Sequence, residues 1–218
     1  MSALQDAPII MRRYARSEIS GTMDGWNEIM PTIRAEIDKG HSTVENLACR
    51  SGCNHCCKLK VEALPHEVAE VIDHIRFSDK FDRLQRGVIL DRLRYIVERT
   101  EGMNADAYLA ENIPCPFLSD NGLCLAYSVR PVACRAFGST NVEVCAQAIP
   151  DDGSTFRVLP DSLSRLSATS GLFFTPFLKA CLDWWGGFGI EAQVEPSEVE
   201  AVVKIQELIE AGAIRRAS

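Results

Sequence analysis

Apolar residues recur at three- and four-residue steps over residues 23–39, where Met23, Trp26, Ile29, Met30, Ile33 and Ile37 fall on one side of a helix. Pro31 sits inside that run and predicts a kink or a split, and Gly40 predicts a stop. Ser42 and Glu45 have the spacing of a capping box, with Val44, Leu47 and Ala48 behind them, so residues 43–50 read as a short helix that Gly52 ends. Residues 60–64 read as a short extended segment. Pro65 opens a helix with Val68, Val71, Ile72 and Ile75 on one face. Ser78 is placed to cap a longer one carrying Phe81, Leu84, Val88, Leu93, Ile96 and Val97, and residues 105–111 add a turn or two.

The pattern changes over 112–127, where Pro114, Pro116 and the Asn121-Gly122 pair punctuate the chain and the Asn-Gly step signals a tight turn. Pro131 opens a short helix to Phe137, residues 142–149 hold one more turn or two, and 150–160 read as loop. Residues 161–185 read as helix broken at Pro176, followed by a glycine corner at Gly186, Gly187 and Gly189. Val199, Val202, Val203, Ile205, Leu208 and Ile209 stripe a helix over 197–211 that Gly212 ends. The expected fold is mainly α: a compact helical domain with a loop-based, cysteine-rich metal centre and a short hairpin. Residues 1–218 are expected to form one domain, with the cysteine-cluster core at about 47–146 and helical extensions (1–46 and 161–218) packed on it.

Composition narrows the class. A chain of 218 residues with 46% hydrophobic and 24% charged content buries a core without needing disulfides. No stretch approaches the roughly 18 apolar residues of a membrane span. The N-terminal residues carry charges where a signal peptide needs an apolar run, so a cytoplasmic protein off the membrane is expected. A net charge of −7 argues against nucleic acid as a partner.

Nine cysteines then change the picture. Four crowd into one stretch as Cys49, Cys53, Cys56 and Cys57, and four more follow as Cys115, Cys124, Cys134 and Cys145 after 57 residues without any. In a reducing compartment such clusters point to metal or redox chemistry rather than structural disulfides. Thiolates suit Zn²⁺ and iron–sulfur clusters, and all eight are candidate metal ligands. Several thiols beyond four and the wide spacing of the second group favour a cluster slightly over zinc. Cys56 and Cys57 are adjacent, and in an extended backbone they would point to opposite faces, so one ligand of the pair, or two centres, is expected. Of the cations beside the cysteines, Arg50, Lys58, Arg130 and Arg135, the last two are favoured to offset the negative charge of a bound cofactor. Cys181 reads as a buried apolar residue, His66 as exposed at a helix start, and Glu67 as a helix-dipole residue. His55 is a weaker ligand candidate than the eight thiols. No phosphate-cradling loop and no Gly-x-Ser-x-Gly is present, so no catalytic residue is identified. Cys49-x₃-Cys53-x₂-Cys56 has the spacing of a radical S-adenosylmethionine cluster loop, but no βα alternation follows and the chain is short for a barrel.

SGCNHCCKLKVEALPHEV and CPFLSDNGLCLAYSVRPVACRAF together resemble the YkgJ-type (CxxCxxCC) family of zinc- or iron-chelating cysteine-cluster domains, over about residues 47–146. Flagellin lysine N-methylases share this domain. The resemblance implies metal binding, with Cys53, Cys56, Cys57, Cys115, Cys124 and Cys134 matching position by position and Cys145 having a counterpart. The first gap holds three residues where the family has two, which sets Cys49 apart. Three functions follow as expectations. One is a metal-binding protein with an iron–sulfur cluster or zinc between the two stretches, redox-active or accessory to a modification reaction. The second is an enzyme modifying a protein or small molecule, methylase-like and dependent on S-adenosylmethionine. The third is a zinc-stapled interaction module.

Overall fold

The computed structural model describes residues 17–147, 153–158 and 175–186. Much of the stretch read as helix over 161–185, the glycine corner beyond Gly186 and the helix expected over 197–211 lie outside the described residues.

Helix α1, Ser17–Ser42, runs unbroken through both Pro31 and Gly40. Trp26 and Met30 before the proline and Ile33 and Ile37 after it are all buried. Each contributes roughly 1.5–3 kcal/mol of burial, which together outweighs the roughly 3 kcal/mol that an interior proline costs. Pro31 itself is exposed. Gly40 is not a stop: a Cβ there would collide with the side chain of Val158, so the glycine permits a close approach. The expected helix over 43–50 does not form. Ser42 is still the last residue of α1, and its hydroxyl donates to the Lys39 carbonyl at 2.7 Å instead of capping a new helix. Asn46 turns the chain with a left-handed φ of 58°. Cys49 therefore lies in an irregular segment, tied by the Ala48 N–H to the Ser139 carbonyl at 2.9 Å.

Strand β1, Glu62–Ala63, leads into α2, Pro65–Phe77, whose apolar face is the predicted one. The next helix, α3, is Arg83–Arg99, and Asp82 caps it rather than Ser78. The Asp82 carboxylate accepts from Gln85 N–H at 2.8 Å, and the Gln85 side chain accepts from Asp82 N–H at 2.9 Å, a reciprocal box. Helix α4, Ala105–Glu111, starts at Asn104 and ends on Asn112 at φ 54°. The Asn121-Gly122 turn closes a small hairpin in which Leu118 bridges Cys124 and Leu125 N–H donates to Phe117 O at 2.8 Å. A 3₁₀ turn, Tyr127–Val129, precedes α5, Val132–Ala136, which runs directly into β2, Phe137–Ser139. Helix α6, Val142–Gln147, follows. The stretch read as loop over 150–160 contains β3, Thr155–Arg157, antiparallel to β2 with Gly138 opposite Phe156. Strand β4, Thr175–Pro176, pairs with β1, and α7 spans Phe177–Trp185.

Helices α2, α3 and α7 hold one apolar cluster built on Val71, Ile72, Ile75, Leu93, Phe177 and Trp184, and Phe117 joins it from the hairpin. Cys115 and Cys124 pack on the edge of this core, which places the cysteine stretches against a rigid face. No helix among the described residues is long and apolar enough to cross a membrane.

His66 is not exposed as expected. It retains 4% of its exposure and stacks on Trp26 with ring centroids 4.1 Å apart, because α1 lies over the start of α2. Burial, and then the charge of Arg34, push its pKa from 6.5 down to about 3. The Arg34 guanidinium itself grips Glu70 through two contacts.

Two measurements check this description. Asp82→Ala costs about 1 kcal/mol in denaturant unfolding, whereas Ser42→Ala changes stability by less than about 0.5 kcal/mol. His66 is neutral in the fold and binds a proton when unfolded below about pH 6.5, so it lowers stability as pH falls from 6.5 toward 3. In His66→Phe that part of the acid sensitivity disappears, which unfolding curves across this range detect.

Candidate metal centre

Local backbone geometry sets the first cysteine stretch. Gly52 adopts φ 85° and lets Cys53 N–H donate to Arg50 O at 2.9 Å in a tight turn. Residues His55–Lys58 then wind into a 3₁₀ turn. The extended backbone expected at Cys56-Cys57 is therefore absent, and instead of facing apart the two side chains hydrogen-bond each other. Gly122 of the hairpin comes so close that a Cβ there would stand 2.9 Å from the Asn54 side chain. Cys115 N–H donates to Cys57 O at 2.7 Å, so the two cysteine stretches meet across the 57 intervening residues. Cys124 sits on the hairpin bridge, Cys134 on α5 and Cys145 on α6, which packs on the 3₁₀ turn of Cys56 and Cys57.

All eight candidate cysteines are thiols outside any disulfide, and all are partly buried. Their mutual influence separates them into two overlapping sets. Cys49 feels Cys53, Cys56 and Cys145, while Cys115, Cys124 and Cys134 act on one another and feel Cys56. Cys56 belongs to both sets, and Cys57 also feels Cys115 and Cys124. Burial is the largest cause raising the pKa of Cys49, Cys115, Cys124 and Cys134, with Cys115 pushed up to about 12. Cys56 goes the other way, because the Cys57 thiol donates to its sulfur and Arg130 stands near; Cys57 is correspondingly raised.

Both favoured arginines are found at the thiols. Arg130 lies with Cζ 4.3 Å from the centre of the Tyr127 ring and lowers the pKa of Cys56 and Cys124. Arg135 is 6% exposed, donates to both Asp38 oxygens at 2.9 and 2.8 Å, and also acts on Cys124. The Nε of each guanidinium is buried without an acceptor. Arg50 is exposed.

Three residues gain importance that their sequence context did not reveal. Glu67 is more than the helix-dipole residue its position suggests: it is 2% exposed, and its carboxylate accepts from Leu64 N–H at 2.9 Å and from Val132 N–H at 2.7 Å. It thereby fixes the first residue of α5, the helix that carries Cys134 and Arg135. Its position three residues after the N-cap was a legible signal for the first bond, and nothing local announces the second. Tyr108 is buried beside Cys115, its pKa pushed up to about 12 by burial and by that thiol. Asp38 holds Arg135 from 97 residues away, beyond any periodicity in the chain. Cys181 is fully buried in α7, as expected, yet close enough to Cys115 and Cys134 to feel both.

The donor set and its surroundings fit a metal that binds thiolates. Soft thiol sulfurs cluster at a partly buried site, and Arg130 and Arg135, which act electrostatically on Cys124, each have a buried Nε–H without an acceptor. Among the described residues, no three Cys, His, Asp or Glu side chains already stand at positions that would together hold an ion. A bound metal would take the place of the thiol protons. Residues 48–151 match the model of the CxxCxxCC family, described as "Putative zinc- or iron-chelating domain". No curated protein and no solved structure matches the chain.

Removing the Glu67 carboxylate orphans two buried N–H groups. Glu67→Ala is expected to cost about 2–4 kcal/mol in denaturant unfolding, and Glu67→Gln, which keeps an acceptor, less.

Proposed function

We propose that this protein holds an iron–sulfur cluster between its two cysteine stretches, as a redox or accessory component of a modification reaction, a reading supported by the match of residues 48–151 to the model of zinc- or iron-chelating CxxCxxCC domains. The observation that carries the reading is that the two cysteine stretches meet, Cys115 N–H donating to Cys57 O at 2.7 Å, with Cys56 influencing thiols of both sets and itself influenced by Arg130. Cys56, Cys115, Cys124 and Cys134 are the proposed ligands of one cluster. Cys57 is bonded to Cys56, and Cys49, Cys53 and Cys145 form the adjoining set of thiols.

An oxidised four-iron cluster with four thiolates carries about −2 charge. Arg130 and Arg135 would supply two positive charges against it, and each has a buried Nε–H without an acceptor. Such a cluster supplies one-electron transfer. Burial and hydrogen bonds to its sulfurs set the potential. Zinc is the second reading. It is favoured by the little regular structure of the segments that the centre would tie together, the irregular residues around Cys49 and the hairpin at Cys124.

Metal and acid-labile sulfide analysis of anaerobically purified protein decides between them. Iron with matching sulfide and a brown colour supports the cluster. A colourless protein retaining zinc replaces it with the staple, and metal-free protein overturns both. Cys134→Ala is expected to lose most of the bound metal and to unfold at lower temperature, while Cys181→Ala keeps its metal.

A further inference from the structure

A hollow of about 350 Å³ opens between α3 and the loop that carries Cys115, at the small end of the range for small-molecule sites. Its walls are apolar: Ile96 from α3, with Ile113, Pro114 and Leu118 from the loop. Tyr95, 59% exposed, offers a ring at the rim. Cys115 forms part of the lining, so whatever occupies the hollow lies against a proposed ligand of the metal centre.

The polar groups of the hollow are few and of opposite sign. Arg92 donates to the Leu118 carbonyl at 3.0 Å and to the Asp120 carboxylate at 2.7 Å. The side chains of that pair are 40% and 92% exposed, so the contact is held against water and adds little to stability. Ser119 also lines the hollow, but its hydroxyl is engaged with Asn121 and Leu123 inside the turn. What remains for a ligand is one guanidinium and one carboxylate side by side, above an apolar floor.

We propose that this hollow binds a small zwitterion with an apolar body, of the class of free apolar amino acids. The ligand carboxylate pairs with Arg92, its ammonium pairs with Asp120, and its side chain lies against Ile96, Ile113 and Leu118. A purely anionic ligand would set its charge against Asp120, and a purely cationic one against Arg92. A zwitterion replaces the weak surface pair with two partly desolvated ones and leaves neither charge alone. Contact with Cys115 lets occupancy alter the metal centre; that coupling rests on the metal reading proposed above, and the binding itself does not.

Calorimetric titration of the full chain with L-leucine and L-phenylalanine tests the proposal, on both metal-loaded and metal-free protein. Saturable binding of either amino acid is expected, weakened about tenfold or more in Arg92→Gln and in Asp120→Asn. The second variant changes a side chain that is 92% exposed, so it reads binding even if the first disturbs the loop. 4-Methylpentanoate and 3-methylbutylamine, which each lack one charge of leucine, are expected to bind more weakly. Absence of saturable binding at millimolar amino acid, or equal binding of either truncated probe, overturns the assignment. Binding to both forms with an unchanged visible spectrum of the loaded protein overturns only the coupling to the centre, whereas binding to a chain that takes up no metal sinks the metal reading and leaves the site standing.

Discussion

A single buried carboxylate ties the cysteine region to the helical core. Glu67 sits in the first turn of α2, and its two oxygens take one N–H from the start of its own helix and one from the start of α5. Burying that group raises its pKa, so the site favours loss of its charge, and the two N–H donors together with Arg34 oppose this. The geometry leaves α5 little freedom. Its position relative to α2 determines where Cys134 and Arg135 stand, and β2 continues from its end to reach the Ala48 N–H beside Cys49.

Helix α1 completes the frame from the other side. Asp38 holds the Arg135 guanidinium through a two-oxygen fork, and His41 lies within hydrogen-bond distance of the Ala136 carbonyl at 3.2 Å. The same helix presses Trp26 onto His66 at the N-terminus of α2. A cation beside partly buried thiols is costly to keep unless a carboxylate fixes it, and Asp38 supplies that while Arg135 still faces Cys124. The centre thus stands between a face of the apolar cluster, which raises thiol pKa values, and two guanidinium groups, which lower them. A thiolate-binding cation would relieve that opposition by replacing the thiol protons.

The split of the cysteines into two overlapping sets follows from the 3₁₀ turn at His55–Lys58. Adjacent residues in such a turn are rotated by about a third of a circle, not half. That is why Cys56 and Cys57 share a hydrogen bond while Cys56 still reaches toward both Cys49 and Cys134.

The amino-acid sequence by itself determined the helical class, the apolar faces of α1 and α2, the Asn-Gly hairpin and the two cysteine stretches with Arg130 and Arg135 beside them, whereas on α3 the expected Leu84 and Val88 are exposed and Ile89 is buried instead. These are signals of local periodicity, turn chemistry and residue type, and they survive in any context that buries the same faces. It misjudged Pro31, Gly40, Ser42, Ser78 and His66, because each outcome depends on what packs against the residue from far along the chain. Burial on both sides of Pro31 carried the helix through, Val158 explains Gly40, and α1 covers His66. The roles of Glu67 and Asp38 were decided by tertiary structure alone, since their partners lie 65 and 97 residues away and a hydrogen bond leaves no periodic trace in sequence.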